Sequence, residues 1–140
     1  MVAYIDGGAR GNPGPAGYGV RIEQPDGALV EEFGESIGVA TNNVAEYRAL
    51  IAALEWAKSH GEQQLHVRSD SLLLVQQMLG KYRVKHPNLI PLYQKAKTMT
   101  GGFKRFSIRH TLRGGNKDAD RLANKAVDRA DGRLMERRPA

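Results

Sequence analysis

Four acidic residues stand where a soluble fold would ordinarily place apolar or solvent-facing side chains: Asp6, Glu46, Asp70 and Asp120. Each lies in or beside a segment that the sequence predicts to be buried, and a buried carboxylate must be paired, protonated or bound to a metal. Clustered carboxylates raise each other's pKa, so without a cation some of them would stay protonated at neutral pH. Oxygen ligands in a chain without cysteine favour Mg²⁺ or Mn²⁺ over Zn²⁺. The four acids therefore predict a site for divalent cations.

Glu46 gives the strongest of these signals. At 100° per residue it lies within about 80° of an apolar stripe on its predicted helix, formed by Ala49, Leu50, Ala53, Leu54 and Ala57. A carboxylate can also stabilise the first turn of a helix through the helix dipole. That alternative explains why Glu46 is near the N-terminus, but it does not explain the face on which it lies.

The other three acids have local alternatives. Asp6 shares a strand face with Val2 and Tyr4, but it could instead begin a solvated glycine-rich turn. Asp70 precedes a predicted helix, where Asp is a preferred N-cap. Asp120 borders the apolar stripe of the last predicted helix and could be an amphipathic-boundary residue. A shared site is favoured because strand ends and helix N-termini converge in sheet proteins.

The elements that must position these acids follow from the hydrophobic pattern. Three strands, at residues 2–6, 18–23 and 29–39, are separated by a glycine-rich turn (7–17) and a hairpin (25–27). After them we expect a helix (43–60, capped by Thr41 or Asn42), a strand (65–69), helices (72–79 and 92–100, joined by 80–91), a strand (103–111), a loop (113–115) and a helix (116–130). This order predicts one α/β domain over residues 1–130, with a mixed sheet between helices. Residues 131–140 are expected to form a flexible tail.

Composition narrows the class of protein. A chain of 140 residues, 41% of them hydrophobic, fits one domain, and the absence of cysteine excludes disulfides and thiolate ligands. The first residues, MVAYIDGG, have neither a basic nor a long apolar segment, so we expect no signal peptide or membrane span and a cytoplasmic location. The net charge of +6 favours a polyanionic partner such as nucleic acid, although a basic protein without such a partner explains it equally well.

Four motifs in order identify a family that the chain resembles. They are DGG at 6–8 followed by GNPGPAGYG at 11–19, TNNVAE at 41–46, SDS at 69–71 and NKDADRLA at 116–123. Together they resemble ribonuclease H of type 1, in its compact branch, over about residues 1–130. The resemblance implies a ribonuclease H-like α/β fold: a five-stranded mixed sheet with three antiparallel N-terminal strands, two further parallel strands, and helices on both faces.

The same resemblance implies an activity, a metal and a set of contacts. It implies endonucleolytic hydrolysis of the RNA strand of RNA–DNA hybrids, which leaves 5′-phosphate and 3′-hydroxyl ends. Separately, we expect a monomer. Asp6, Glu46, Asp70 and Asp120 would be the catalytic ligands of two Mg²⁺ ions, with Mn²⁺ as a substitute. The implied nucleic-acid contacts are Gly7, Asn12, Thr41, Asn42, Asn43 and Ser71. Helix capping is an alternative role for Thr41 and Asn42, and it is compatible with contact.

Two departures from the family pattern qualify these expectations. Residues 80–93 (GKYRVKHPNLIPLY) lack the Trp- and Lys-rich protrusion of many bacterial members, so hybrid affinity would be weaker or spread over other cations: Lys81, Arg83, Lys85 and Lys104. Some compact relatives also cut double-stranded RNA, which leaves a side activity on that substrate open.

The second departure concerns the residue that assists the acids. We favour Arg113, seven residues before Asp120, over His110 at the end of the last strand. Because an arginine stays protonated, its contribution would be charge stabilisation and not general acid catalysis. Two other functions remain as alternatives, namely a non-catalytic module that binds RNA–DNA hybrids and a DNA-directed relative with the same fold.

Overall fold

The N-terminal third of the chain forms an antiparallel sheet from β1 (Val2–Ala9), β2 (Gly14–Glu23) and β3 (Leu29–Ala40). Two later strands, β4 (Gln64–Ser69) and β5 (Arg105–His110), extend it in parallel, giving the order β3-β2-β1-β4-β5. The structure is a computed structural model that describes residues 1–132. The predicted five-stranded mixed sheet is confirmed.

Helices cover both faces of this sheet, as the sequence predicts. They are α1 (Asn42–Ser59), α2 (Leu72–Met78), α3 (Ile90–Thr100) and α4 (Lys117–Ala130), with a 3₁₀ turn at Arg113–Gly115 before α4. Side chains alternate along β1, so Ala3 and Ile5 are fully buried in the core beneath α1. Asp6 has the opposite orientation and shares its face with Gly19, its partner on β2, against which α4 packs.

The glycine-rich segment departs from its predicted turn over residues 7–17. The β1–β2 ladder continues to the Ala9–Ala16 pair, and the turn is confined to residues 10–13. Glycine weakens a strand only modestly, so a continuous ladder of backbone hydrogen bonds outweighs that local preference. Because glycine has no side chain, a helix can also pack very close to the backbone of a strand at its glycine positions.

Helix α4 uses this property. A Cβ atom on Gly17 would lie 2.5 Å from Ala126 Cβ, and one on Gly19 would lie 2.5 Å from Leu122 Cβ. These distances are far below van der Waals contact, so the two glycines let the helix lie directly on β2. Because Gly19 pairs with Asp6, the same contact brings the N-terminal turns of α4 towards the acid on β1.

Helix α2 begins at residue 72, as predicted, whereas α3 begins earlier than predicted. Ser71 and not Asp70 caps α2, since its hydroxyl accepts a hydrogen bond from the Leu74 N–H at 3.2 Å. Helix α3 begins at Ile90 and not at residue 92, with Pro91 in its first turn, where a missing N–H costs nothing.

The predicted flexible tail, residues 131–140, falls outside the described residues except for its first two. Of these, Asp131 accepts a hydrogen bond from the Arg10 guanidinium at 2.9 Å. Among residues 1–132, no helix has the length and apolar character needed to cross a bilayer.

Candidate active site

All four acids predicted from the sequence line one cleft of about 560 Å³. Asp6 comes from β1, Glu46 from the second turn of α1, Asp70 from the position directly after β4, and Asp120 from the first turn of α4. Carboxylate oxygens of Asp6, Glu46 and Asp70 lie within 4.8 Å of one another. Asp120 is outside that tight group, but it is close enough to help raise the pKa of Asp6. Four separate elements thus converge on one acidic cluster.

Asp6 is at the centre of this cluster. The pKa of its carboxyl group is raised to about 8, first because burial removes the charged form from water, and then because Asp70 and Asp120 are beside it. No salt bridge to any of the four acids exists within residues 1–132. The conflict among like charges that the sequence predicted is therefore present in the folded protein.

Glu46 has an oxygen atom without a protein partner. Its Oε2 is buried and accepts no hydrogen bond within the described residues. Burial raises the pKa of Glu46 well above its ordinary range, and the charges of Asp6 and Asp70 add to the effect. A buried, unpartnered carboxylate oxygen beside two other carboxylates suits a divalent cation, which would satisfy the oxygen and offset the repulsion. The residues present therefore fit a metal.

Gly7 holds Glu46 in this position. A Cβ atom on Gly7 would lie 2.5 Å from the backbone nitrogen of Glu46, so any larger residue would push α1 away from β1. The family resemblance implied that Gly7 contacts nucleic acid. The close approach in the structure is to the N-terminal turns of α1, which carry Glu46.

Asn116 is a positioning residue that sequence reasoning did not single out. Its side chain is buried and donates from Nδ2 to the backbone carbonyl of Ile5 at 2.8 Å, which fixes the start of α4 next to Asp6. An Asn directly before a helix indicates an N-cap, yet Asn116 makes no capping hydrogen bond. The available signal, its place in the NKDADRLA motif, did not reveal this contact with β1.

Comparisons with known proteins match most of the chain. Residues 4–126 match the family described as Reverse transcriptase-like. The crystal structure of RNase H1 from the archaeon Halobacterium salinarum superimposes with a TM-score of 0.88 at 45% identity, covering 91% of this chain and 97% of that chain. The chain belongs to the ribonuclease H family.

Two further structures resemble this ribonuclease H chain closely. The N-terminal RNase H domain of a Mycobacterium tuberculosis protein has a TM-score of 0.91 at 46% identity, covering 95% of this chain and 96% of that chain. LC11-RNase H1, solved with an RNA/DNA hybrid, has a TM-score of 0.87 at 43% identity and covers 92% and 97%. The chain spans only 36% of the full bifunctional mycobacterial protein and 64% of the curated Halobacterium ribonuclease HI.

The two candidates for the assisting residue of this ribonuclease H fold lie in different places. Arg113, in the 3₁₀ turn, lines the cleft with the four acids. His110 is the exposed last residue of β5 and is not among the residues that line the cleft. Another cleft residue, Arg10, was not predicted. It forms ion pairs at 2.8 Å with Asp128 and at 2.9 Å with Asp131, which connect the end of β1 to the end of α4.

The asparagines near the cleft form a short network. The Asn42 N–H donates to Asn12 Oδ1 at 3.0 Å, and the Ala9 N–H donates to Asn42 Oδ1 at 2.7 Å. Since both side-chain oxygens accept from the backbone, both NH₂ groups point elsewhere, and neither donates to another described residue. These donors are available to a ligand, and Asn42 lines the cleft directly.

The remaining predicted contacts are at the starts of helices. Thr41 caps α1 through a 3.2 Å hydrogen bond from the Val44 N–H, and Ser71 caps α2. Asn43 is exposed on the first turn of α1. None of these three residues lines the cleft itself.

Proposed function

We propose that this chain hydrolyses the RNA strand of RNA–DNA hybrids endonucleolytically, with two Mg²⁺ ions held by Asp6, Glu46, Asp70 and Asp120. The observation that carries the proposal is the buried Glu46 Oε2, which has no partner within residues 1–132 and lies in a carboxylate cluster without a salt bridge. A protein that only bound nucleic acid would gain nothing from holding mutually repelling acids in this way. LC11-RNase H1, solved with an RNA/DNA hybrid, gives further support.

The chemistry assigns a role to each group. Two divalent ions bound at such a site supply an activated water and stabilise both oxygens of an in-line phosphoryl displacement. The products would carry 5′-phosphate and 3′-hydroxyl ends. The Arg113 guanidinium, always protonated, would stabilise charge on the phosphate from the wall of the cleft.

The asparagine network supports selectivity for RNA. The 2′-hydroxyl distinguishes RNA from DNA, and it is exposed in the minor groove of the hybrid. The free NH₂ groups of Asn12 and Asn42 can donate to 2′-hydroxyls or to acceptors on base edges. Mn²⁺ substitution, activity on double-stranded RNA, a monomeric state and a cytoplasmic location stay predictions.

The proposal is tested by substituting Asp6. Asp6→Asn keeps the size of the side chain but removes a ligand charge, so we expect it to abolish Mg²⁺-dependent cleavage of a hybrid with 5′-labelled RNA. The matched control is Asp118→Asn, because Asp118 lies on the exposed first turn of α4 outside the cleft. This control should cut at nearly the wild-type rate.

Three results would contradict the proposal: cleavage in EDTA, full activity of Asp6→Asn, or stable binding of the hybrid by wild type without any cutting. The last result would establish the hybrid-binding module instead. Labelled RNA–DNA, double-stranded RNA and double-stranded DNA should be compared under the same conditions. Preferential cutting of DNA would indicate the DNA-directed alternative.

A further inference from the structure

The face of the sheet that carries α4 is only partly covered. Helix α4 packs on β1, β2 and β3, whereas β4 and β5 receive their helix contacts from α1 and α2. The buried Leu65, Val67 and Ile108 point towards those helices. By strand alternation, the residues between them point to the other side. No helix within residues 1–132 packs over that part of the sheet.

This uncovered surface is strongly basic. We call it the open basic face and define it by His66, Arg68, Arg105, Ser107 and Arg109. The parallel register pairs His66 with Ser107 and Arg68 with Arg109, so the five residues form one continuous surface. Arg105 and Arg109 are exposed, and no acidic residue is part of the face.

The charges on the two halves of this side of the sheet are arranged differently. On the half covered by α4, Arg21 and Arg121 form ion pairs, with Glu32 shared between them at 2.9 Å. On the open half, none of the three arginines has a carboxylate partner in the described part of the chain. The pKa of His66 is lowered, first by burial and then by the positive charges of the N-terminus and these arginines. The potential on this face therefore suits an anion.

Both strands of the open basic face lead directly to segments that line the cleft. Asp70 follows β4 directly, and Arg113 is four residues after Arg109 in the chain. From Arg109, the face extends along β5 to Arg105 over four residues, or about 13 Å at 3.3 Å per residue. That length matches the spacing of several phosphates along one nucleic-acid strand. Tyr4, paired with Arg68, adds an aromatic ring at its edge.

We propose that the open basic face binds the phosphate backbone of a single-stranded segment that continues from a hybrid in the cleft. Double-stranded DNA is stiff over about 150 base pairs, and we expect a hybrid duplex seated in the cleft to be too stiff to bend onto the sheet surface as well. A single strand can bend onto it, and cations beside an aromatic ring are how proteins bind single strands without sequence preference. The location of the hybrid rests on the proposed function.

The test is a binding measurement in EDTA, where no cleavage occurs. Fluorescence anisotropy compares a blunt 12-base-pair hybrid (a length of about one turn) with the same hybrid carrying a single-stranded RNA extension at one end or the other. We expect one of the extensions to tighten binding by wild type. Arg105→Gln with Arg109→Gln should remove that gain and leave the affinity for the blunt hybrid unchanged.

Salt dependence gives a second readout. Losing two phosphate contacts should lower the slope of log affinity against log salt by about 1.4 for a single strand, at about 0.7 per contact. The drop in affinity between 50 and 200 mM salt would then shrink by about sevenfold, as that slope implies. Arg105→Lys with Arg109→Lys, which keeps both charges, should retain most of the wild-type slope.

The matched control is Lys58→Gln with Lys95→Gln, the same change in charge beside the α1–α3 groove. It should retain the gain from the extension. Equal weakening of blunt and extended hybrids by the Arg105/Arg109 pair would overturn the proposal, because the arginines would then bind the duplex. The proposal would also be overturned if the Arg105→Gln, Arg109→Gln variant gained as much affinity from the extension as wild type does. Failure of the proposed function is distinguishable, since it appears as absent Mg²⁺-dependent cutting while the binding results stand.

Discussion

At the scale of the residue, Asp6 is a carboxylate that folding stabilises in its protonated form when no cation is bound. Its pKa rises from the ordinary 3.8 to about 8, chiefly through burial. The unfolded chain therefore releases this proton near pH 4, whereas the folded chain keeps it until about pH 8. The stabilisation is complete below pH 4 and is lost as the pH rises through that interval. The contribution of Asp6 to the free energy of unfolding of the metal-free protein therefore decreases as the pH rises towards 8.

Asp6→Asn should therefore raise the melting temperature of the metal-free protein at pH 8 but change it little at pH 4. An increase of only about 1 kcal/mol in the free energy of unfolding would raise the melting temperature by about 4 °C for a domain of this size. Thermal unfolding followed by circular dichroism in EDTA at both values of pH measures the difference. A gain of the same size at both values would show that the cause is not the charge of Asp6.

The environment of a single residue could be predicted from the sequence where it depends on one helix or strand. It could not be predicted where it depends on the packing of two elements. The burial of Glu46 follows from helical periodicity alone, and the structure agrees. The contact of Asn116 with the Ile5 carbonyl joins segments 111 positions apart, which no local pattern records. Gly7 was predicted as a nucleic-acid contact, and its close approach to the backbone of α1 became apparent only when β1 and α1 were packed together.

At the scale of the element, the contact between α4 and β2 sets the position of Asp120. A Cβ atom on Gly19 would lie 2.5 Å from the Ala119 carbonyl oxygen and 2.6 Å from the Ala123 nitrogen. Both are backbone atoms of α4, which cannot rotate out of the way as a side chain can. A side chain at this position must therefore displace the whole helix.

Gly19→Ala should destabilise the fold by about 2–3 kcal/mol through overpacking, and it should also lower the cleavage rate because α4 carries Asp120. Gly8→Ala is the matched control, since Gly8 is also in a strand and its added Cβ would have no atom within 4 Å. Urea denaturation gives the free energy of unfolding of each variant. Equal stability of the two variants would mean that α4 is not seated on Gly19 as described.

The order and type of the elements were predictable from periodicity and caps, but the extent of β1 and β2 was not. Residues 7–17 have the composition of a turn, and their local preference favours one. Pairing between the strands extends through Gly7 and Gly8 because the register from Val2–Glu23 onwards continues without interruption to Ala9–Ala16. This is a tertiary effect that overrides local propensity.

At the scale of the whole molecule, the cleft is assembled from residues that span nearly the entire described chain. Its lining runs from Asp6 on the first strand to Val127 on the last helix. The complete cleft therefore requires β1, α1, β4 and α4 to be in place together. This chain matches only 36% of the length of its bifunctional mycobacterial relative. The question is therefore whether the domain that forms the cleft is stable and active by itself.

The predicted domain boundary at residue 130 can be tested by truncation. We expect a fragment of residues 1–132 to cut a hybrid at the rate of the full chain, because the cleft and the core lie within those residues. A fragment of residues 1–130 should melt at a lower temperature, because it lacks the Asp131 carboxylate that accepts from Arg10 at 2.9 Å.

Asp131→Asn in the full chain isolates the same ion pair without shortening the protein. Its melting temperature should approach that of the shorter fragment at low salt, and the difference from wild type should decrease at high salt because partly exposed ion pairs are screened. Loss of cleavage by the fragment of residues 1–132 would move the domain boundary into the last eight residues. Since Arg10 also binds Asp128, one remaining pair should keep the end of α4 beside β1. We therefore expect the shorter fragment to be less stable and still active.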